Sequence, residues 1–165
     1  MEWTTRSARA SRPALAGLCL ALLAHAPARA DESSIADRLE QRGINYEVDD
    51  DGDYKVVYEY KKEGRTQLVF VSGGTETVRD LTVREVFAPA ARVEAHGIDG
   101  DRALELLRDS GMNKLGAWEI RGDALYFVIK VFDGVSAIEL EQAMDIVAEV
   151  ADDKEIELTG GSDDL

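Results

Sequence analysis

Residues 44 to 60, INYEVDDDGDYKVVYEY, alternate apolar and polar side chains on both sides of an acidic segment that contains one glycine. Alternation with a period of two is typical of half-buried strands, so this stretch predicts two strands joined by a turn. A three-residue loop, Asp50-Asp51-Gly52, pairs Val48 with Tyr54 and keeps the apolar residues of both strands on one face. The same loop needs its last residue in the left-handed region, which favours glycine.

The acidic segment could instead be a calcium loop of the EF-hand type. With Gly52 at the sixth position, Glu47 falls at the first position and Tyr58 at the twelfth, where such loops carry a glutamate that supplies two ligands. A strand pattern, and no helix, follows the segment. The sequence therefore predicts a hairpin turn, with weak cation binding by its aspartates left open.

The rest of the N-terminal half predicts a helix and two further strands. Ser33 or Ser34 can cap a helix that runs to about Arg42 and ends at Gly43. A second three-residue loop, 62–64, pairs Tyr60 with Thr66. Residues 67–71 are apolar on both faces and predict a central strand, and the Gly73-Gly74 turn then leads into a fourth strand over about 77–87.

The C-terminal half predicts a connector, a helix, a hairpin and a last helix. The connector spans residues 88–97 and includes Pro89, and Asp99 or Asp101 then caps a helix that ends near Gly111. A two-residue turn joins strands 115–121 and 124–132 and pairs Ile120 with Leu125 and Trp118 with Phe127. Ser136 and Glu139 form a capping box for the closing amphipathic helix. The expected fold class is α+β, an antiparallel sheet with helices in the order α-β-β-β-β-α-β-β-α.

The first thirty residues have the three regions of a cleavable signal peptide. Three arginines precede an apolar run, 14–24, that is too short to span a bilayer, and Ala28-Arg29-Ala30 offers small residues to signal peptidase. Leu18 before Cys19 argues against lipid attachment, because a small residue is expected there. We therefore expect a signal peptide over 1–30, one domain over 31–158, a disordered acidic tail over 159–165, and a periplasmic location.

The charge of the chain limits its partners. The whole sequence has a formal charge of −14, and removal of residues 1–30 takes away four arginines and one glutamate, which leaves −17. So acidic a domain repels nucleic acid and anionic lipid surfaces, so neither is an expected partner. Residues 31–165 contain no cysteine, which excludes disulfides and thiol chemistry in that part of the chain.

Three stretches resemble the YbjN-like family of bacterial sensory transduction regulators. They are GINYEVDDDGDYKV, ALELLRDSGMNKLGAWEIRGDALYFVIKVF and DGVSAIELEQAMDIVAEVADD, which together extend over nearly all of the chain after residue 30. The order of helices and strands also resembles the secretion-chaperone-like fold, whose members commonly form dimers and hold extended client segments. The family brings no catalytic residues. A signal peptide departs from its usual members and places the expected role outside the cytoplasm.

No residue is predicted to be catalytic, to bind a cofactor or to bind a metal. His96 is the only histidine after residue 30, and no G-x-S-x-G stretch or phosphate-binding loop is present. Trp118 and the tyrosines of the second strand could line a ligand groove, but their alternation favours a sheet face that packs under helices. The expected function is a non-enzymatic interaction or regulatory module that binds a protein segment or self-associates. The alternative is a small periplasmic enzyme or ligand-binding protein that uses carboxylates in a groove.

We predict export and cleavage after Ala30. The intact mass of the protein purified from its native host should match a chain that begins at Asp31. A mass that retains Met1, or that includes lipid on Cys19, would contradict this prediction.

Overall fold

The computed structural model describes residues 34–163, so the predicted signal peptide and the proposed cleavage site lie outside the described residues. The described chain contains three helices and seven strands, and its order agrees with the predicted α+β class. These elements are α1 (Ile35–Arg42), β1 (Glu47–Val48), β2 (Tyr54–Tyr60), β3 (Arg65–Val71), β4 (Glu76–Val78), β5 (Leu81–Arg92), α2 (Gly100–Met112), β6 (Ala117–Arg121), β7 (Ala124–Phe132) and α3 (Ala137–Thr159).

The seven strands form one antiparallel sheet with the order β1-β2-β3-β5-β7-β6, and β4 pairs with β5 beside this path. Strands β3, β5 and β7 therefore lie in the middle, as predicted for β3. None of the described helices has the length and apolar character that crossing a bilayer requires.

The helices pack on one face of this sheet. Helix α3 contacts β3, β5 and β7, α1 packs beside α3, and α2 lies against β6. The core consists of alternate strand residues such as Val69, Val86 and Phe127 together with helix residues such as Leu39 and Met144. Because side chains alternate along a strand, the intervening residues point to the opposite face.

Capping residues define the helix ends as the sequence predicts. Ser34 and Asp37 form a capping box at the start of α1, and Gly43 ends it in the left-handed conformation. Asp99 caps α2 by accepting from the backbone of Arg102. Ser136 and Glu139 form the predicted capping box of α3. Each cap satisfies backbone N–H groups that would otherwise lack partners in the first turn.

Two of the three predicted hairpin registers are confirmed. Val48 pairs with Tyr54, with Gly52 at a φ of +86°, and Trp118 pairs with Phe127. The β2–β3 prediction is wrong by one residue, because Tyr60 pairs with Arg65 and not with Thr66. The longer turn places Arg65 on the helix-covered face, where it meets carboxylates of α3.

The fourth predicted strand and the connector that follows it are corrected. Residues 76–92 form the short strand β4 and the long strand β5, which continues to Arg92 through the predicted connector. A register shift at Pro89 accommodates a residue that lacks a backbone donor. Alanines at 88, 90 and 91 are fully buried, since their small side chains let α3 pack close to β5.

Arg65 joins β3 to the C-terminal end of α3. It is 7% exposed, and its guanidinium donates to Asp152 at 3.0 Å and to Glu155 at 2.8 Å. It also donates to the carbonyl oxygens of Gly161 and Ser162, 3.1 and 2.8 Å away. The first part of the predicted disordered tail is thus held against β3. Removing one partner of such a buried ion cluster typically costs about 3–5 kcal/mol, because charges stay buried without compensation.

Gly73 lies in the turn between β3 and β4, at the point where that turn closely approaches the turn between β1 and β2. A Cβ on Gly73 would lie 2.0 Å from the carbonyl oxygen of Gly52, whereas a Cβ on Gly74 has no atom closer than 4.0 Å. We expect Gly73→Ala to lower the free energy of unfolding by about 1–3 kcal/mol, since backbone must move to relieve the overlap.

The matched control is Gly74→Ala, which should change stability by less than about 0.5 kcal/mol. Urea unfolding followed by circular dichroism measures both variants. Equal stability of the two variants would show that the close approach of the two turns does not exist in solution.

Candidate interaction surfaces

The acidic turn uses its carboxylates to hold the backbone. The side chain of Asp49 accepts hydrogen bonds from the backbone N–H groups of Asp51 at 3.0 Å and Asp53 at 2.9 Å. Asp53 in turn accepts from the N–H of Gly73 at 2.9 Å. These contacts are those of an Asx-type turn, in which the aspartate satisfies nearby donors. The turn therefore has a structural role that accounts for two of its four aspartates.

His96 lies in the turn between β5 and α2. Its Nδ1 is 2.9 Å from both the backbone nitrogen and the carbonyl oxygen of Arg92, four residues earlier. Across residues 34–163, no three histidine or acidic side chains are grouped so that they could hold a metal ion. The two contacts with Arg92 lie within the turn that contains His96 and help to hold it.

An acidic groove of about 360 Å³ lies between β2 and α3. Tyr58 and Tyr60 line it together with carboxylates, which are Glu63, Asp145, Glu149, Asp152 and Asp153. Tyr58 donates to Asp145 at 2.9 Å, and Asp152 is bound to Arg65. Burial, followed by the nearby carboxylates with Asp152 first, raises the pKa of Tyr60 to about 12. Burial and the bond to Asp145 also raise the pKa of Tyr58. Phenols with raised pKa values stay protonated at neutral pH and cannot act as bases there.

Trp118 of the edge strand β6 contacts helix α2 and the neighbouring strand β7. Its ring packs against Phe127 with centroids 5.0 Å apart, and its indole N–H donates to Asp109 of α2 at 2.7 Å. Its backbone N–H donates to the hydroxyl of Ser110 at 2.9 Å. Trp118 thus contacts α2 as predicted, and it also lines the apolar groove beside that helix, which was the alternative to packing under helices. Helix α2 thereby occupies part of the backbone edge that β6 would otherwise present to another strand.

An apolar groove of about 320 Å³ runs between α2 and β6. Leu104 and Leu107 of α2 and Ile120 of β6 line it while remaining 50%, 68% and 48% exposed. The other lining residues are Gly100, Ala103, Leu106, Trp118 and Leu125. Of the residues of α2, only Leu106 is buried. Large aliphatic side chains that share one groove and stay in contact with water mark a surface that gains free energy when it is covered.

The sequence contained a signal for this groove. The segment ALELL places three leucines within four residues of α2, at 104, 106 and 107. One helix that packs against a single strand cannot turn all three towards the same core, because successive residues are about 100° apart around the axis. The sequence pattern predicted this helix but did not place its leucines at a groove.

The second apolar surface is the face of the sheet opposite the helices, which we call the open face. Cross-strand pairing places Phe70 beside Phe87, and Phe87 beside Val128, on this face. The rings of Phe70 and Phe87 stack with centroids 5.3 Å apart, and Phe87 meets Tyr126 edge to face at 5.7 Å. None of the described helices packs on this face. The strand residues in the core with the helices are the alternate ones, whose side chains point to the opposite face.

Four charged side chains cover the aromatic row. The guanidinium carbon of Arg121 lies 5.4 Å from the ring centroid of Phe87, and its nitrogens bind Glu85 at 2.9 Å and Glu119 at 2.7 Å. Lys130 lies 3.4 and 3.1 Å from the same two carboxylates. Burial raises the pKa of Glu119, but hydrogen bonds from Arg121 and Lys130 outweigh burial, and the net pKa is below its usual value. The two cations and two carboxylates compensate one another.

Comparison with models of known protein families gives no match, and no curated protein shows significant sequence similarity to this chain. Its surfaces are therefore the basis for assigning a function.

We predict that the acidic turn is not a dedicated calcium site. Titration of calcium into the protein by calorimetry should give no saturable binding in the roughly micromolar or tighter range that is typical of sensor loops, because Asp49 and Asp53 already bind backbone donors. A site of that affinity, abolished by Asp51→Asn, would contradict the structural role of the turn.

Proposed function

We propose that this protein is an exported, YbjN-like interaction or regulatory module of the bacterial envelope, without enzymatic activity, that binds a segment of another protein. The observation that carries the proposal is the groove between α2 and β6, where three large aliphatic side chains remain about half exposed or more. An unfilled apolar groove of this size fits two or three side chains of a bound polypeptide.

The local structure of the groove supports a polypeptide as the ligand. Its lining comes from two rigid elements, a helix and a strand, which are tied together by the bonds from Trp118 to Asp109 and Ser110. A site that is already formed loses little conformational entropy when it binds. A bound segment would insert apolar side chains between Leu107 and Ile120, as helical or extended ligands do in hydrophobic grooves.

The negative charge of the protein favours a partner that carries basic residues. Helix α3 carries eight carboxylates and one lysine, and residues 31–165 carry a large negative excess. This field speeds the encounter with partners that have basic residues beside their apolar anchor, and it makes the encounter sensitive to salt. The proposed ligand is accordingly an apolar segment with basic flanks.

The enzymatic alternative has less support in the acidic groove between β2 and α3. Asp145 accepts from Tyr58 and Asp152 is bound to Arg65, so two of the five carboxylates there already have structural partners. A hydrolytic pair needs two carboxyl groups that are free to bind substrate and held at a defined separation. The apolar groove requires no such arrangement, and its exposed side chains already fit a binding role.

A photo-crosslinking amino acid at position 107 tests the proposal in the native envelope. We expect a defined adduct with one polypeptide, because Leu107 projects from α2 with 68% of its surface exposed. The same amino acid at Glu63, on the turn between β2 and β3, is the matched control and should give no such adduct. Mass spectrometry of the adduct identifies the bound segment and shows whether it is apolar with basic flanks.

Leu107→Asp should abolish co-purification of the crosslinked polypeptide and leave the thermal unfolding midpoint nearly unchanged. Adducts at position 63 that equal those at 107 would overturn the groove as the binding site. Reproducible turnover in a hydrolase panel, lost on substitution of one carboxylate, would replace the proposal with the enzymatic alternative.

A further inference from the structure

We propose that the open face of the sheet is a self-association surface, on which a second copy of this chain packs sheet against sheet. The inference deepens the proposed function by assigning a second partner and a second surface, distinct from the groove beside α2. It rests on the apolar centre of the face, its balanced charge and its dimensions.

The centre of the open face is a continuous row of apolar side chains across five strands. Pairing joins Val57 to Leu68, Phe70 to Phe87, and Val128 to both Phe87 and Ala117. Val57 is 51% exposed at one side of the row and Phe132 is 59% exposed beyond Val83, with which it pairs, whereas Val128 between them is already buried by its neighbours in the single chain. An antiparallel sheet commonly leaves one face polar, so a row of this composition indicates a face that is covered in the functional state.

The charge distribution favours a second copy of this chain as the partner on the open face. The chain is strongly acidic, and α3 concentrates eight carboxylates against one lysine on the side of the helices. On the open face, Arg121 and Lys130 compensate Glu85 and Glu119, so the centre of this face is close to neutral. Two copies of so acidic a protein repel each other at most of their surfaces, and this face is where repulsion is least. A basic partner would be drawn instead to α3.

The charges of this network also suit a two-fold contact. Arg121 and Lys130 compensate Glu85 and Glu119 within each copy, so stacking two copies brings no net charge of this network into the contact. Such a contact is isologous, so the same patch serves both partners and the assembly closes at two copies. Sheets that pack face to face lie about 10 Å apart. The aromatic rings of Phe70, Phe87 and Tyr126 from both copies can fill the space between them.

The dimensions of the face are those of a stable dimer contact. Five strands at about 4.8 Å each and about eight residues at about 3.3 Å each give a patch of roughly 24 by 26 Å, or about 600 Å² in projection. Side chains that stand out from the sheet make the accessible surface larger than its projection. Standard interfaces bury about 800 Å² on each partner, so the open face is of sufficient size.

Light scattering coupled to size-exclusion chromatography tests the proposal. The full chain is expressed for export, and the protein is purified from the envelope fraction. We expect a dimer for the wild-type protein and a monomer for Val57→Asp with Phe132→Asp, with a dissociation constant raised by about 30-fold or more, as expected when central contacts are lost. Both residues are more than half exposed in the single chain, so the double variant should still fold.

Leu104→Asp with Leu107→Asp is the matched control, because it places the same two charges on the other apolar surface, at side chains that are 50% and 68% exposed, and should leave the dimer intact. A wild-type monomer at about 100 µM, a concentration at which even weak dimers form, would overturn the inference. So would a dimer that survives the Val57→Asp and Phe132→Asp variant or is lost in the Leu104→Asp and Leu107→Asp control. Crosslinking at position 107 is measured separately. A protein that is monomeric but still forms the adduct at position 107 would contradict the proposed dimer without contradicting the proposed function.

Hydroxyl-radical footprinting of the wild-type protein provides a measurement that needs no variant. Across a dilution series, oxidation of Phe132 should rise by several-fold as the dimer dissociates, whereas oxidation of Met112, 70% exposed at the end of α2, should stay constant. A constant signal at Phe132 over a range in which the mass falls from dimer to monomer would place the interface elsewhere.

Discussion

The packing of α3 across β3, β5 and β7 is the contact on which the rest of the fold depends. Met144, Val147 and Ala151 of α3 are completely buried against strand residues of the helix-covered face, and the alanines of β5 allow the helix to approach closely. Helix α3 buries nine residues, compared with three in α1 and one in α2, so it contributes more to the core than the other two helices together. It also determines which face of the sheet is covered and which face remains open.

Three buried arginines complete this packing by tying helix α1 and strands β3 and β5 to distant parts of the chain. Arg65 binds Asp152, Glu155 and the residues that follow α3, whereas Arg84 binds Asp133 at 2.7 Å and the carbonyl oxygen of Ser72. Arg38 of α1 donates to the carbonyl oxygen of Asp133 at 2.6 Å. Guanidinium groups suit these positions because they offer several donors in a fixed plane. The ion pairs fix the register of β3 and the position of the loop before α3, at the cost of desolvating their charges.

The same one-sided packing leaves two apolar surfaces with different surroundings. The groove between α2 and β6 exists because α2 packs mainly against an edge strand and can bury little more than Leu106. The open face exists because all three described helices pack on the other face. The groove is bounded by a helix and suits a short segment, whereas the open face is broad, nearly neutral at its centre and suits a second sheet. These two surfaces carry the two proposals made above, binding of a polypeptide segment in the groove and self-association through the open face.

The sequence alone determined the features that depend on local chemistry. The cap at Ser136, the turn at Gly52 and the register of β6 with β7 follow from residue type and alternation, which act over a few residues. For the first two helices, residue type left two nearby candidates each, and the structure selects Ser34 and Asp99. Only the tertiary structure decided the register of β2 with β3 and the extension of β5 through Pro89, because both depend on contacts with α3, far away in the sequence. The apolar groove likewise could not be located from periodicity, which shows that a side chain is apolar but not whether a distant element covers it. That covering is a property of three-dimensional packing, and for this protein it separates the buried core from the two surfaces proposed to bind partners.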